Sequence, residues 1–205
     1  MGYKYIALES EYGSGGGQIA RQTAEMCGIP LYGRRVLEIV SQRLHIPVET
    51  IEEREETITS SFLFSIYMLS QTSGGDSDAL PLEDRIFLEA QDAIRGLSVL
   101  GPAVFLGHCA VHALEERSDV LRVFIRADRS LREKNIAARR GLSAREAAQE
   151  LKRTDQKRAN YFRAYTRKGW TDPENYDLIL DSGTLGANTC ADMLFRVLST
   201  DPKDV

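Results

Sequence analysis

Apolar residues along this chain fall into two rhythms. Tyr5 to Leu8, Ala103 to Gly107, Leu121 to Ala127 and Tyr176 to Asp181 are short runs dense in apolar side chains, the second apolar throughout. Runs of this length predict strands, and a strand without polar alternation is expected where both faces of a parallel sheet are covered. Between these runs the spacing changes to three and four. Ile19, Thr23, Ala24 and Cys27 recur at helical intervals until Gly28, Val36, Ile39, Val40 and Leu44 mark a second helix, and Leu82, Ile86, Ala90, Ala93 or Ile94, and Leu97 a long third one opened by Pro81. Ile29 to Tyr32 reads as a brief extended piece, and Pro47 opens a turn rich in Glu49, Glu52, Glu53, Glu55 and Glu56. Ser73 to Asp78 is the clearest loop, and Ser143 with Glu146 makes a capping-box pattern that starts a further helix. Strands alternating with helices predict an α/β fold with a parallel sheet flanked by helices.

The first predicted strand runs into "EYGSGGGQ", Glu11 to Gln18, and a helix follows. A loop so placed gathers free backbone N–H groups at the positive end of a helix dipole, which suits a phosphate anion, and glycine lets the backbone approach closely. Gly13, Ser14, Gly15, Gly16, Gly17 and Gln18 are therefore the candidate phosphate cradle. Against G-x-x-x-x-G-K-[ST], the stretch Ser10 to Gly17 lacks the first glycine, the lysine and the hydroxyl, so it is a degenerate Walker A loop. A second register, Gly15, Gly17 and Ala20, fits the dinucleotide pattern G-x-G-x-x-[GA]. Arg34 and Arg35 follow the second strand where an NAD site would want an acid, so an NADP-binding reading stays open.

A chain of 205 residues has room for one sizeable core, with a smaller appendage. Its net charge of −4 hides a segregation: Arg126 to Lys168 holds 14 Lys and Arg against 5 Asp and Glu, leaving −13 for the remainder. The acidic remainder and the absence of a nucleic-acid motif argue against a nucleic-acid partner. Cys27, Cys109 and Cys190 have no C-x-x-C spacing, so no disulfide framework or zinc site is expected, and they read as small buried residues. His108 and His112 are i, i+4 on a possible helix but lack the pattern of a zinc pair. No apolar stretch reads as a signal peptide or a membrane span, so the expected location is the cytoplasm.

Several blocks carry a resemblance. "EYGSGG" followed by "IARQTAEMCGIPLY", then "SSFLFSIYML", "LPLEDRIFLEAQDAIRGL", "FLGHCAVHAL" and above all "GLSAREAAQELKRTDQKRANYFRAYTRKGWTDPENYDLILDSGTLG" resemble the cytidylate-kinase-like family of P-loop proteins over about Ile6 to Leu198. The resemblance implies a single three-layer P-loop domain of the nucleoside monophosphate kinase type. It implies a helical acceptor-binding region at 33–80 and a helical basic lid at 129–170. It further implies a phosphotransferase that uses ATP and Mg2+, with a nucleoside monophosphate such as CMP, or another small molecule, as acceptor. Arg153, Asp155 and Arg158 resemble the family's R-x-D-x-x-R lid element, with Arg153 and Arg158 expected on phosphate and Asp155 paired to one of them. Arg34 or Arg35 is expected near the acceptor phosphate, and Phe62, Phe64 and Tyr67 near the acceptor.

The chain also departs from the family. Related loops read S-R-E-[YF]-G-S-G-G-R-E-I, whereas the two basic positions here are Ser10 and Gly17, and Gln18 replaces the acid. The family's G-R-C-A is Gly107, His108, Cys109 and Ala110, and its Y-D is Tyr32 and Gly33. No protein metal ligand is expected beyond Glu9 or Glu11 acting through water. Arg21, one turn into the helix, is a possible substitute cation but is expected to point away from the loop. A catalytically silent nucleotide- or phosphate-binding protein is therefore the second functional reading.

Overall fold

The computed structural model of the chain describes residues 2–54 and 80–200. The apolar runs become strands β1 (Tyr5–Ser10), β2 (Leu31–Tyr32), β3 (Ala103–Leu106), β4 (Val120–Arg126) and β5 (Leu178–Asp181). All pair in parallel, in the order β2-β3-β1-β4-β5. That order overturns the NADP reading, because dinucleotide folds seat the second strand beside the first, and here β3 lies between them.

The helices are α1 (Gly16–Cys27), α2 (Arg34–Leu44), α3 (Val48–Arg54), α4 (Leu82–Ser98), α5 (Ala110–Ala113), α6 (Arg129–Arg140), α7 (Ala144–Thr166), α8 (Ser182–Leu185) and α9 (Ala187–Ser199). Side chains alternate across the sheet, so each strand feeds two cores. Ile6, Leu8, Val123 and Ile125 join Ile19 and Ala20 of α1 and Leu194 of α9 in one core. Tyr5, Ala7, Phe105 and Phe124 join α2 and α4 in the other. This is why the strands lack polar alternation: helices cover both faces.

The basic segment folds as the α6–α7 hairpin. Asp128 caps α6 by accepting from Ser130 N, and the capping box at Ser143 and Glu146 is present at the start of α7. Helix α7 has 23 residues, about 35 Å of rise. Its first half packs Ala147 and Leu151 on Ile136 in a small separate core, while Tyr161, Phe162 and Tyr165 of its second half are rooted in the main core. One rigid rod thus connects the hairpin to the body.

His108 and His112 do not share a helix, since His108 precedes α5 with φ +57°. Cys109 and Cys190 are buried and Cys27 is half-buried, all as free thiols. Among the described residues no helix is long and apolar enough to cross a membrane. Phe62, Phe64, Tyr67 and the Ser73 to Asp78 loop lie outside the described residues.

Candidate functional site

Strand β1 delivers the chain into the glycine loop and α1 carries it away, at the carboxyl ends of the parallel strands, where α/β folds hold their ligands. The loop walls a cleft of about 830 Å³. Gly13 and Gly15 have φ of +83° and +85°, a region open mainly to glycine. Ser10 sits so close over Gly16 that a Cβ there would lie 2.4 Å from the serine Cβ and Oγ.

Three side chains hold the loop's carbonyls from behind. Arg132 Nη1 donates to Tyr12 O at 3.3 Å, Asn135 Nδ2 to Gly13 O at 2.9 Å, and Ser182 Oγ to Ser14 O at 2.6 Å. In a trans peptide the carbonyl and the following N–H point in opposite directions. Anchoring Tyr12 O and Ser14 O therefore orients the Gly13 and Gly15 amides to the other side. The amides of Gly13, Gly15, Gly16 and Gly17 donate to no protein acceptor among the described residues, and all four residues line the cleft. Ser14 N instead donates to Glu11 O and Gln18 N to Gly15 O. Ser14 is buried, with its hydroxyl unpartnered, while Gln18 reaches the cleft wall. Four glycine amides are thus open to a ligand in the cleft.

The hairpin clasps this loop through Tyr12. Tyr12 N donates to Asp155 Oδ1 at 2.9 Å and Tyr12 OH to Glu150 Oε1 at 2.6 Å. The guanidinium carbons of Arg139 and Arg158 lie 5.4 and 5.7 Å from its ring centroid, in cation–π range. Partial burial, and then the hydrogen bond to Glu150, push the Tyr12 phenol above its ordinary value.

Asp155 pairs with neither Arg153 nor Arg158. Its partner is Arg132, whose Nη1 lies 2.5 Å from Asp155 Oδ2 and whose Nε donates to Ala127 O at 3.1 Å and lies 3.4 Å from Glu11 Oε2. Arg132 is only 7% exposed. A signal for it existed: it shares a helical face with Ile136, i and i+4, and so was bound to face inward.

Arg158 reaches the cleft and donates from Nη1 to Ser10 O at 2.9 Å. Arg139 also lines the cleft. Arg153 does not line it and is exposed on α7. Five residues separate it from Arg158, roughly 140° of rotation, whereas Asp155 and Arg158, three apart, share a face. At the other end of the cleft, Arg34 lines the wall and pairs with Glu52 at 2.9 Å. Arg35 pairs with Glu38 at 2.9 Å, outside the cleft. Arg21 reaches the cleft wall, contrary to the expectation that it points away.

The floor is made by Glu9 and Trp170. Glu9 is 7% exposed and Trp170 Nε1 donates to its Oε2 at 3.4 Å. Burial, and secondarily the Glu9 charge, raise the Tyr176 phenol, whose hydroxyl donates to Trp170 O. At the exit of β3, Gly107, His108 and Cys109 are consecutively left-handed, with φ of +74°, +57° and +54°. Two non-glycine residues in that region store strain, and such strain clusters at ligand sites. Gln91 Nε2 holds the turn by donating to His108 O at 2.9 Å.

Residues 5–184 match the family model described as "Cytidylate kinase-like family". The chain belongs to the cytidylate kinase-like family. An uncharacterized protein from Eubacterium ventriosum is similar in structure, with a TM-score of 0.70 at 22% identity, covering 96% of this chain and 99% of that one. A shikimate kinase from Bacteroides thetaiotaomicron gives 0.52 at 12% identity, covering 96% and 98%. The shikimate kinase from Acinetobacter baumannii in complex with shikimate gives 0.53 at 12%, covering 96% and 93%. At these identities the likeness shows the fold, the P-loop kinase type that the family shares. No curated protein matches the chain.

Proposed function

We propose that this cytidylate kinase-like protein transfers the γ-phosphoryl group of ATP to a small acceptor, a nucleoside monophosphate such as CMP in the first instance. The observation that carries the reading is the set of four unclaimed glycine amides in a cleft that Arg139 and Arg158 also line. Phosphoryl transfer asks a protein chiefly for alignment and positive charge. The loop amides bind the phosphate chain, and the two arginines offset charge on the transferring group. Arg34, at the far end, meets the acceptor's phosphate. An acceptor oxygen attacks the γ-phosphorus as the bond to the ADP oxygen breaks. A phosphate acceptor is already anionic and needs no general base.

Among the described residues the donor set does not fit a directly coordinated magnesium ion. Position 17 carries no hydroxyl and β3 ends in Leu106 rather than an acid. Glu11 is engaged by Ala127 N and Arg132, Glu9 by Trp170, and among the described residues no three His, Cys, Asp or Glu side chains cluster.

Purified protein with ATP, magnesium and a panel of nucleoside monophosphates is expected to form nucleoside diphosphates, measured by chromatography. Arg158→Gln is expected to lower kcat/KM by about a hundredfold, the usual scale for losing one stabiliser of transition-state charge. Arg153→Gln, outside the cleft, is expected to change it less than about threefold. Equal losses in both variants would remove the assignment of Arg158. A second reading, a nucleotide-binding protein without turnover, is favoured by the missing side-chain cation at Gly17. It predicts calorimetric ATP binding with no diphosphate formed from any acceptor.

A further inference from the structure

We infer that Arg21 supplies, from one turn down α1, the side-chain cation that the glycine loop lacks. The inference rests on reading the cleft as a nucleotide-phosphate site, and four observations carry it. Residues 17 and 21 are i and i+4 on the same helix and so lie on one face, roughly 5.4 Å apart along the axis. Side chains on a helix lean toward its N-terminus, so a long side chain at 21 extends back over position 17. Gly17 presents nothing to obstruct it: the space beside it is open, a Cβ there meeting only Leu106 Cδ2, at 3.8 Å. Arg21 is exposed, lines the cleft, and forms no hydrogen bond or ion pair with any described residue.

Each of the other cleft arginines already has a protein partner beside its ligand role. Arg158 is held on Ser10 O, Arg34 on Glu52, and Arg139 sits over Tyr12. Arg21 alone among these four enters from the α1 side, next to the free amides. Its guanidinium engages two phosphate oxygens in a plane, which a lysine ammonium does not, and its reach covers one helical turn. The glycine at 17 is then a complement to Arg21 rather than a simple loss: a long cation at 17 and one at 21 would contend for the same space and repel.

Calorimetric titration with inorganic tripolyphosphate and with ATP tests this in wild type, R21Q, G17K and the R21Q/G17K double variant. R21Q is expected to lose about tenfold or more in affinity for both probes, a charge-assisted contact being worth that much. Adding G17K to R21Q is expected to restore most of it, because position 17 has room for a side chain. In the wild-type background G17K is expected to add little, the two cations competing for one place. Unchanged binding in R21Q overturns the inference. So does loss without recovery in the double variant when G17K alone keeps the wild-type unfolding midpoint. A wild-type protein that binds neither probe defeats the reading of the cleft itself, a result separable from failure at Arg21.

Discussion

Arg132→Met is expected to lower the unfolding free energy by about 3 kcal/mol, the low end for breaking a buried ion pair from one side. The low end applies because Asp155 and Glu11 each keep about a fifth of their side chains in solvent, 21% and 20%. Methionine matches the arginine stem in length but leaves both carboxylates without their cation. It also strips Tyr12 O and Ala127 O of a donor. Arg132→Lys is expected to recover only part of the loss, since one ammonium cannot serve two carbonyls and two carboxylates spread around a planar fork. The measurement is urea unfolding followed by circular dichroism. A loss below about 1 kcal/mol would mean that the cluster contributes no more than a surface pair. The consequence for function is sharper than the stability figure. Arg132 is the junction of the loop, the end of β4 and the α6–α7 hairpin, so its loss is expected to abolish phosphate binding even where the fold survives.

Gly13→Ala is expected to cost roughly 2 to 4 kcal/mol, by adding the left-handed penalty of an L residue to the cost of overpacking. The added Cβ would stand 2.8 Å from Arg132 O and 3.1 Å from Ile136 Cδ1, and a backbone carbonyl cannot swing aside as a side chain can. Relief would have to come from moving α6, which would take Asn135 and Arg132 off the loop carbonyls. Gly17→Ala is the internal control. It lies within α1 where a Cβ has room, so it is expected to be neutral or to stabilise by up to about 1 kcal/mol on helix propensity. Thermal unfolding of the two variants side by side reads the difference. Similar midpoints for both would show that the loop yields at Gly13 and is not the rigid cradle described above.

The two variants also show how far the chain could be read without its fold. The strand, glycine loop and helix from Tyr5 to Cys27 were legible, as were the Ser143 capping box, Pro81 ahead of α4 and the parallel sheet. The local elements depend on residues within about one helical turn or one strand of each other, and the parallel sheet on the alternation of strands and helices along the chain. Arg158 and Arg34 were legible as cleft arginines only through the family resemblance. Arg153 and Arg35 came by the same route, and the structure leaves both outside the cleft, because a motif aligns positions without saying which face of a helix each occupies. Asp155 was recognised as a partner for an arginine, but the arginine was Arg132, 23 residues away on another helix.

The amino-acid order alone determined that an anion-seeking loop leaves the first strand and that positive charge gathers in one segment, since both are properties of neighbours along the chain. Tertiary structure decided which amides stay free, through Arg132, Asn135 and Ser182 gripping the loop from behind across separations of 120, 122 and 168 residues. It also decided that Arg21 faces the cleft. Carbonyl partners and helix faces are settled only when distant elements pack, because packing fixes the one arrangement in which buried charges and peptide groups all find partners.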